Sequence, residues 1–412
     1  MRALYRPFRE KEYNMAEYQK KTNKNRNGKE QTEGCIYAKK CGGCNLQGVP
    51  YDKQLKQKKK WVEELLQPYC KVERIIGMDD PYHYRHKVHA AFSHVKGKGI
   101  VAGVYKEGTH QIVDIEECLI ENQKADAIIR DIKGLMTSFK IKAYDEDSGY
   151  GLLRHVLIRC GYHSGEYMVV LVLSSPILPS KNNFVKALRK LHPEITTVVI
   201  NVNNKRTSMV LGDKNTTIYG KGYIEDELCG KRFRISPSAF YQVNPKQTEI
   251  LYRTAIEMAE LTGKEKIIDA YCGTGTIGII VSDQGKEVIG VELNRDAVRD
   301  AVVNAKMNQV KNITFYKEDA GKFMSQYTAL NDRADLVIMD PPRSGSSEEF
   351  LQSLVQLSPK KVLYISCNPE TLARDLKYLT KKGYQAKKAV AVDLFPFAEH
   401  VETVVLMSRK DN

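Results

Sequence analysis

The order of apolar segments after about Pro245 constrains the fold more than any other feature of the chain. Short, nearly continuous apolar segments alternate there with segments of helical periodicity. Such strands are typical of a parallel sheet covered by helices on both faces. The order changes at the end, where "AKKAVAVDLF" and "VETVVLMSR" are separated only by "PFAEH". Because a parallel crossover needs roughly a dozen residues, these last two strands are predicted to be antiparallel neighbours.

This pattern predicts an α/β catalytic domain over residues 241–412. An open parallel sheet that finishes in an antiparallel hairpin suits a class I (Rossmann-like) methyltransferase better than a dehydrogenase. Residues 34–240 instead show a cysteine-rich loop, a helix over about 51–67, and then short alternating strands with two helical interruptions. The alternation predicts a central α+β domain with an antiparallel sheet, and we expect the helix at 51–67 to pack on the catalytic domain.

Charge favours nucleic acid as a partner. The 412 residues carry a formal net charge of +14, and residues 1–60 hold 16 Lys or Arg against 6 Asp or Glu. We predict that residues 1–33 form a basic, disordered tail, while the basic surface as a whole is suited to RNA or DNA phosphates. No segment is long and apolar enough for a membrane span or a secretory signal, so we expect a cytoplasmic protein that contacts no membrane. We also expect a monomer.

A glycine-rich turn between a strand and a helix predicts a nucleotide-type cofactor site. "GTGTIG" follows an apolar strand, and Glu292 ends the next strand. Gly273 and Gly275 permit a tight turn and close approach of a cofactor, and the carboxylate can accept hydrogen bonds from a ribose. This pattern alone fits NAD almost as well as S-adenosylmethionine. Asp269 and Asp319 are weaker candidates for contacts to the same cofactor.

Two further strands end in "DPPR" and "SCNP". Ligands of open α/β sheets bind beyond the carboxyl ends of the strands, so Asp340 and Cys367 are predicted to face one cleft. A cysteine has a specific use if the methyl acceptor is carbon 5 of uracil, which is a poor nucleophile. Addition of a thiolate to carbon 6 activates carbon 5, and a base must then remove the carbon 5 proton. The terminal hairpin offers Glu399 and Glu402 as that base.

Taken in order, "DAYCGTGTIG", "DPPR", "SCNP" and "FP…HVE", preceded by "FYQVNP", resemble the bacterial RNA 5-methyluridine methyltransferase family from the cysteine-rich loop to the C-terminus. The resemblance implies Cys367 as the nucleophile and Glu402 as the proton-abstracting base. It also implies a set of residues that contact S-adenosylmethionine, namely Gln242, Tyr271, Glu292 and Asp340, beside Gly273 and Gly275 of the turn.

The cysteines of "CIYAKKCGGC" predict a metal site. Cys35, Cys41 and Cys44 have the spacing C-x5-C-x2-C, which is open to zinc or an iron–sulfur cluster. The absence of two C-x2-C halves favours iron–sulfur, and spacing does not choose the fourth ligand. The family resemblance implies a 4Fe-4S cluster with Cys118 as that ligand, as in the branch of the family that acts on 23S ribosomal RNA.

The resemblance therefore implies a 23S rRNA uracil-C5 methyltransferase, and three alternatives stay open. Transfer RNA is the nearest alternative substrate. An NAD-dependent oxidoreductase explains the glycine turn but gives no role to "DPPR" or "SCNP", and a non-catalytic RNA-binding protein explains only the charge and the cysteines. Many members of the family begin with a small β-barrel, which the 34 polar residues at the start of this chain are too few to form.

Overall fold

A computed structural model describes residues 34–106, 109–207 and 209–410, so the predicted tail at 1–33 lies outside the described residues. From Cys35 onward the chain forms one compact unit. Its strands in chain order are β1 (Val72–Ile76), β2 (Lys87–Val95), β3 (Gly99–Tyr105), β4 (Ile112–Asp114), β5 (Leu153–Cys160), β6 (Tyr167–Leu173), β7 (Ile195–Val202), β8 (Lys214–Tyr219), β9 (Ile224–Leu228), β10 (Lys231–Ile235), β11 (Lys266–Ala270), β12 (Glu287–Glu292), β13 (Ile313–Lys317), β14 (Leu336–Met339), β15 (Lys361–Ser366), β16 (Tyr384–Val392) and β17 (Glu402–Arg409).

Ten α-helices accompany these strands in the described part of the chain. In chain order they are α1 (Ala38–Cys41), α2 (Tyr51–Leu66), α3 (Gln123–Ser138), α4 (Lys181–Leu191), α5 (Pro245–Ala259), α6 (Thr276–Val281), α7 (Arg295–Met307), α8 (Ala320–Ala329), α9 (Glu348–Leu357) and α10 (Pro369–Lys381). Asn244 and Asn368 cap α5 and α10, and each is followed by a proline at the first helical position. Both features are typical of helix N-termini because they satisfy or remove unpaired N–H groups.

The C-terminal half confirms the predicted α/β class. One sheet has the strand order β1-β16-β17-β15-β14-β11-β12-β13, and only β17 runs against its neighbours. β16 and β17 are antiparallel partners, as the short connection between them predicts. Helices cover both faces, since α5 and α6 contribute to the hydrophobic cluster on one face, whereas α2, α8, α9 and α10 contribute to the cluster on the other.

The edge strand β1 was not predicted from the sequence. It pairs in parallel with β16, with Arg74 opposite Val390 and Ile76 opposite Val392. The helix before it, α2, buries Val62 and Leu66 in the hydrophobic cluster of the same sheet. Residues 51–76 therefore belong structurally to the catalytic sheet, although they precede the central domain in the chain.

The central sheet has the order β4-β3-β2-β5-β6-β7-β8. It is antiparallel except for β6 and β7, which pair in parallel because α4 provides a crossover between them. This corrects the expectation of a purely antiparallel sheet. Helices α3 and α4 cover one face, and part of the other face packs against the catalytic half through Leu157, Met168, Val170 and Val199.

A buried ion pair joins α2 to the loop between β16 and β17. Lys58 Nζ donates to Asp393 Oδ1 at 2.7 Å and to the carbonyl of Phe395 at 2.9 Å. Both charged side chains are almost fully excluded from solvent, at 2% and 0% exposed. Tyr51 Oη also donates to Asp393, at 3.0 Å. These hydrogen bonds satisfy a carboxylate that would be costly to bury alone.

Replacing Lys58 by methionine is expected to lower the free energy of unfolding by about 3–5 kcal/mol, because Asp393 is left buried without its cation. Urea denaturation followed by circular dichroism measures this loss. The matched control is Lys56→Met on the same helix, where Lys56 pairs with Asp52 at 3.6 Å with side chains 72% and 39% exposed. It should cost at most about 1 kcal/mol. Equal losses in the two variants would contradict a structural role for the buried pair.

Candidate active site

Two neighbouring parallel strands bring Asp340 and Cys367 to the same edge of the sheet. β14 ends one residue before Asp340, and β15 ends one residue before Cys367. The antiparallel strand β17 begins at this same edge with Glu402. Ser366 pairs with Thr403, so the register places Cys367 opposite Glu402 as the next pair. Directly opposed side chains of antiparallel strands have Cβ atoms about 4.5–5.5 Å apart.

The turn that carries Cys367 is fixed by hydrogen bonds on both sides. Asn368 caps α10 by accepting from the backbone N–H of Glu370 at 3.1 Å, and its amide donates to the carbonyl of Arg343 at 3.1 Å. Ser366 Oγ donates to the carbonyl of Asn368 at 3.0 Å. The thiol is therefore held between the end of a strand and the start of a helix, beside the "DPPR" segment.

Burial and neighbouring carboxylates raise the pKa values of the candidate catalytic groups. Desolvation, followed by the charges of Glu402 and Asp340, raises the pKa of Cys367 to about 11, against an opposing effect of Arg343. Desolvation and the charge of Asp340 raise the pKa of Glu402 to about 8, again opposed by Arg343. Desolvation raises the pKa of Asp340 to about 7. Both carboxyls therefore titrate in the range suited to acid–base catalysis near neutral pH.

Tyr252 is a component of this region that the sequence analysis missed. It lies on α5 and is 3% exposed. Burial raises its pKa first, and the charges of Asp340, Glu402 and Asp269 raise it further, while a hydrogen bond with Thr276 lowers it. A buried phenol thus lies among the three carboxyls of the site. Its sequence context, an amphipathic helix, gives no signal that distinguishes it from a core tyrosine.

The glycine turn lies between β11 and α6, as predicted, and its two glycines have different surroundings. Gly273 has φ +54°, and a Cβ added to it would meet no heavy atom within 4 Å, so its backbone borders open space. Gly275 has φ +81°, and an added Cβ would lie 3.0 Å from Phe315 and 3.1 Å from Ala301. The first position leaves room for a ligand, whereas the second allows close packing of the turn.

Glu292 and Asp269 hold this turn in place. Glu292 accepts from the backbone N–H of Gly273 at 3.1 Å and from that of Asn294 at 2.7 Å. Asp269 Oδ2 accepts from the N–H of Gly278 at 2.8 Å, while its Oδ1 is buried and has no hydrogen-bond partner in the described part of the chain. A buried oxygen without a partner, beside open space at Gly273, fits a site for a ligand that donates a hydrogen bond.

Tyr271, Gln242 and Asp319 lie around the same turn or on elements that border it. Tyr271 adopts a left-handed backbone with φ +69°, which is costly for a residue with a side chain and is typical of functional sites. Its ring lies 5.0 Å from that of Phe350. Gln242 is half-buried in the segment before α5. Asp319 caps α8 by accepting from the N–H of Lys322, which gives it a structural role.

The cysteines come from two segments that meet at a small hydrophobic cluster. Cys44 and Cys118 are partly buried there against Tyr51, Tyr84 and Phe397. Cys35 and Cys41 lie in the same loop as Cys44 and are partly buried. Within the described residues, no three His, Cys, Asp or Glu side chains are placed closely enough to hold a metal ion. Four thiols are suitable ligands for a soft metal, but in this structure they do not surround a single metal position.

The helices in the described ranges are all too short or too polar to cross a bilayer. Together, the sheet, the glycine turn and the carboxyl-edge cysteine fit the class of S-adenosylmethionine-dependent methyltransferases, and comparison with known proteins assigns the chain to that class.

The chain belongs to the tRNA (uracil-5-)-methyltransferase family, whose family model matches residues 50–410. It is therefore an RNA methyltransferase. It is 42% identical over 382 residues to an uncharacterized RNA methyltransferase of Halalkalibacterium halodurans, covering 92% of this chain and 83% of the relative. A similar protein of Listeria innocua is 41% identical over 380 residues, covering 91% and 83% of the two chains.

A solved structure supports the same assignment. The Pyrococcus abyssi tRNA (uracil-54, C5)-methyltransferase in complex with S-adenosyl-L-homocysteine has a TM-score of 0.76 and 30% sequence identity to this chain, covering 89% of this chain and 86% of that one. The comparisons confirm the predicted family and exclude the oxidoreductase and the non-catalytic alternatives. They do not distinguish ribosomal from transfer RNA as the substrate.

Replacing Glu402 by glutamine is expected to stabilise the protein increasingly as the pH rises from about 4.5 to about 8. Over this range the unfolded carboxyl loses its proton while the folded one, with its pKa raised to about 8, keeps it. The wild type therefore loses stability that the amide variant retains, and above about pH 8 the difference is constant. We expect a difference of at least about 1 kcal/mol, since one pKa unit corresponds to about 1.4 kcal/mol.

Urea titrations of both proteins at about pH 5 and pH 8 measure this difference. Glu399→Gln, at an exposed position three residues before Glu402, is the matched control and should show no such gain. If Glu402→Gln and the wild type had parallel pH dependences, the raised pKa of Glu402 would be wrong.

Proposed function

We propose that this protein transfers a methyl group from S-adenosylmethionine to carbon 5 of a uridine in 23S ribosomal RNA. The observation that carries the proposal is that Cys367 comes directly after the Ser366–Thr403 pair of β15 and β17, at the carboxyl edge where β17 begins with Glu402. A thiol paired with a buried carboxyl is the combination that uracil-C5 methylation requires, because one group activates carbon 5 and the other removes its proton.

In this mechanism Cys367 is the nucleophile. Its pKa of about 11 means that the thiol is protonated in the free protein at neutral pH, so its proton passes to solvent water as the sulfur attacks and returns from solvent after the sulfur has left. Addition of the sulfur to carbon 6 of the flipped base converts the ring to an enolate with a nucleophilic carbon 5. When bound, S-adenosylmethionine supplies the electrophilic methyl group for that carbon.

Glu402 completes the reaction as the base. The carboxylate removes the proton from carbon 5, and the electron pair of that C–H bond restores the ring double bond as the C6–S bond breaks. Its buried position excludes bulk water and, with the charge of Asp340, raises its pKa to about 8, against the opposing effect of Arg343. Cys367 leaves as a thiolate, and Glu402 carries the proton that it removed.

The cofactor is proposed to lie against the glycine turn, with Gln242, Tyr271, Glu292 and Asp340 as its contacts. The open space beside Gly273 and the unpaired oxygen of Asp269 support this placement. Gly275 contributes indirectly, since its close contact with Phe315 fixes the shape of the turn.

Transfer RNA is the second candidate substrate. It is favoured by one observation, the likeness to the Pyrococcus abyssi enzyme, which is named for its action on uracil 54 of tRNA. Ribosomal RNA is favoured by the cysteine pattern of residues 35–44 and Cys118, which resembles the ribosomal branch of the family. The two substrates share the same chemistry, so the experiment must present both.

We expect tritium release from unmodified 23S rRNA labelled at carbon 5 of uracil when S-adenosylmethionine is added. Cys367→Ala should reduce the release at least about a thousandfold, because carbon 5 is then not activated. Cys70→Ala, which removes a half-buried thiol of the α2 region, is the matched control and should retain activity. Tritium release from tRNA alone would contradict 23S rRNA as the substrate and identify tRNA instead. Methyl incorporation without tritium release would show a different acceptor atom and contradict the role of Cys367.

Glu402→Gln should trap the reaction after methyl transfer. Because the carbon 5 proton cannot then be removed, we expect a covalent RNA–protein adduct that survives denaturing electrophoresis and carries the transferred methyl group. Glu399→Gln should turn over without accumulating the adduct. Normal turnover by Glu402→Gln would identify another base.

We further propose that Cys35, Cys41, Cys44 and Cys118 hold a 4Fe-4S cluster. Anaerobically purified protein should then show broad visible absorbance, with iron and acid-labile sulfide that are lost in Cys41→Ala and retained in Cys70→Ala. A colourless wild-type protein with stoichiometric zinc would contradict the iron–sulfur cluster.

A further inference from the structure

A cleft of about 970 Å³ opens on the central sheet, away from the carboxyl edge that carries Cys367. We call it the histidine cleft, and its lining includes His89, Ala91, Gly103, Tyr105, His155 and Arg206. It lies on the face of the sheet opposite α3 and α4, because the alternate residues Val88, Ala90 and Phe92 of β2 face those helices. The proposed methylation mechanism gives this cleft no role.

The floor of the cleft is built from small residues beside an imidazole. Ala91 pairs with Gly103 on one side and with His155 on the other. Ala91 leaves a depression that a larger side chain would fill, whereas a side chain at Gly103 would collide with the carbonyl of Val113, so Gly103 contributes only its backbone. The cleft volume lies within the range typical of small-molecule or nucleotide sites.

His155 borders this depression. The residue is 7% exposed, and its Nδ1 is buried without a hydrogen-bond partner among the described residues. Burial, followed by the charges of His89 and Arg154, lowers the pKa of His155 to about 3, so the ring is neutral. A buried polar atom without a partner is unfavourable unless a ligand or water supplies one.

Aromatic edges border the same space. The rings of Tyr105 and His155 lie 6.1 Å apart at 77°, and those of Tyr105 and His110 lie 6.3 Å apart at 60°. His89 is exposed at the mouth of the cleft. Rings that combine flat apolar faces with hydrogen-bonding edges are the side chains that bind unpaired nucleobases.

The charges around the cleft favour a phosphate-bearing ligand. Glu146 is neutralised by buried Arg154, from which it accepts a hydrogen bond at 2.8 Å, and Asp147 accepts one from His110 at 2.8 Å. Lys106 and Arg206 at the rim have no ion pair with an acidic residue in the described part of the chain. These two cations outnumber the one carboxylate of the lining, Asp147, that no cation pairs, which favours an anionic ligand.

A row of cations connects the cleft with the catalytic half. Lys87 precedes His89 on the same face of β2. Burial, followed by the charges of Arg159 and Arg85, lowers the pKa of Lys87 to about 8, so both arginines lie near it. The residue between Arg85 and Lys87, His86, donates its backbone N–H to the carbonyl of Val243, beside Gln242. Positions 85 to 89 of an extended chain span about 13 Å, the reach of a few nucleotides.

We propose that the histidine cleft binds an unpaired nucleobase of the substrate RNA, a few nucleotides from the target uridine. The base would lie over Ala91, beside the rings of Tyr105 and His155. Lys87 and Arg206 would contact the adjoining phosphates. This inference rests on the proposed function only in that the ligand is RNA, and it requires no particular chemistry at Cys367.

Equilibrium binding tests the proposal with two fluorescein-labelled probes, single-stranded oligouridylate and an abasic oligoribophosphate of the same length. Wild-type protein should bind the oligouridylate at least about fivefold more tightly than the abasic probe, since stacking of one base on an aromatic side chain increases affinity by about that factor or more. Tyr105→Ala and His89→Ala should remove most of this preference while leaving affinity for the abasic probe unchanged. Arg206→Gln should lower the affinity for both probes by the same factor, because Arg206 is proposed to contact phosphate.

The matched control is Lys186→Gln, which removes an exposed cation from α4 on the opposite face of the sheet and should change neither affinity. Photocrosslinking with 4-thiouridine-substituted RNA provides a second readout that does not depend on the folding of variants. Crosslinks to the peptides that contain His89 or Tyr105 are expected. An unchanged base preference in both variants, or crosslinks confined to residues 241–410, would overturn the proposal.

These outcomes are separate from those of the methylation assay. Tritium release without a cleft effect would leave the enzyme assignment intact and refute the cleft. A base preference that depends on Tyr105, without tritium release from any RNA, would support the cleft and refute the proposed reaction.

Discussion

The buried pair of Lys58 and Asp393 is the interaction on which the geometry of the catalytic edge depends. Asp393 immediately follows β16, and the loop that begins there ends at Glu402, the first residue of β17. Lys58 stands 335 positions earlier in the chain, on a helix that the central domain separates from the hairpin. Gln247 of α5 donates to the carbonyl of Asp393 at 3.0 Å, so a third element holds the same point. Because an unpaired buried charge is strongly destabilising, the loop cannot move independently of these helices.

The cysteine-rich segment contacts the same loop from its other side. Leu46 donates its backbone N–H to the carbonyl of Phe397 at 2.9 Å, and Asn45 accepts from the N–H of Glu399 at 2.9 Å. Phe397 has φ +66° and donates its own N–H to Gln54 at 2.8 Å, so its strained backbone is held by neighbouring groups. Cys44 is adjacent to Asn45 in the chain and packs on the hydrophobic cluster that contains Phe397. The conformation of the cysteine-rich segment is thus tied to the loop that precedes Glu402, which would give the proposed cluster a structural role.

Local patterns predicted the elements of this fold, and long-range pairings account for what they missed. The helix Tyr51–Leu66 and the antiparallel hairpin follow from periodicity and from connection length, which are properties of short segments. The shared edge of Asp340 and Cys367 follows from a general rule for parallel sheets. In contrast, β1 has the unremarkable sequence "VERII", and its place beside β16 depends on a partner more than 300 residues away. Tyr252 was missed for the same reason, since only tertiary packing distinguishes it from other tyrosines in amphipathic helices.

The carboxyl groups of the active site also determine which ligand charge the active site favours. Desolvation holds the pKa values of Asp340, Glu402 and Asp269 at about 7, 8 and 8, so these groups retain protons to unusually high pH. A positive charge placed beside them favours their ionised forms and lowers these pKa values. Binding a cationic methyl donor is therefore coupled to proton release from residues that include the proposed base. Once the methyl group has been transferred and the positive charge is lost, the same carboxyls regain their affinity for protons. Desolvation thus favours a protonated Glu402 in the empty site, whereas a bound cation favours its ionised form, and proton uptake follows once the positive charge is lost.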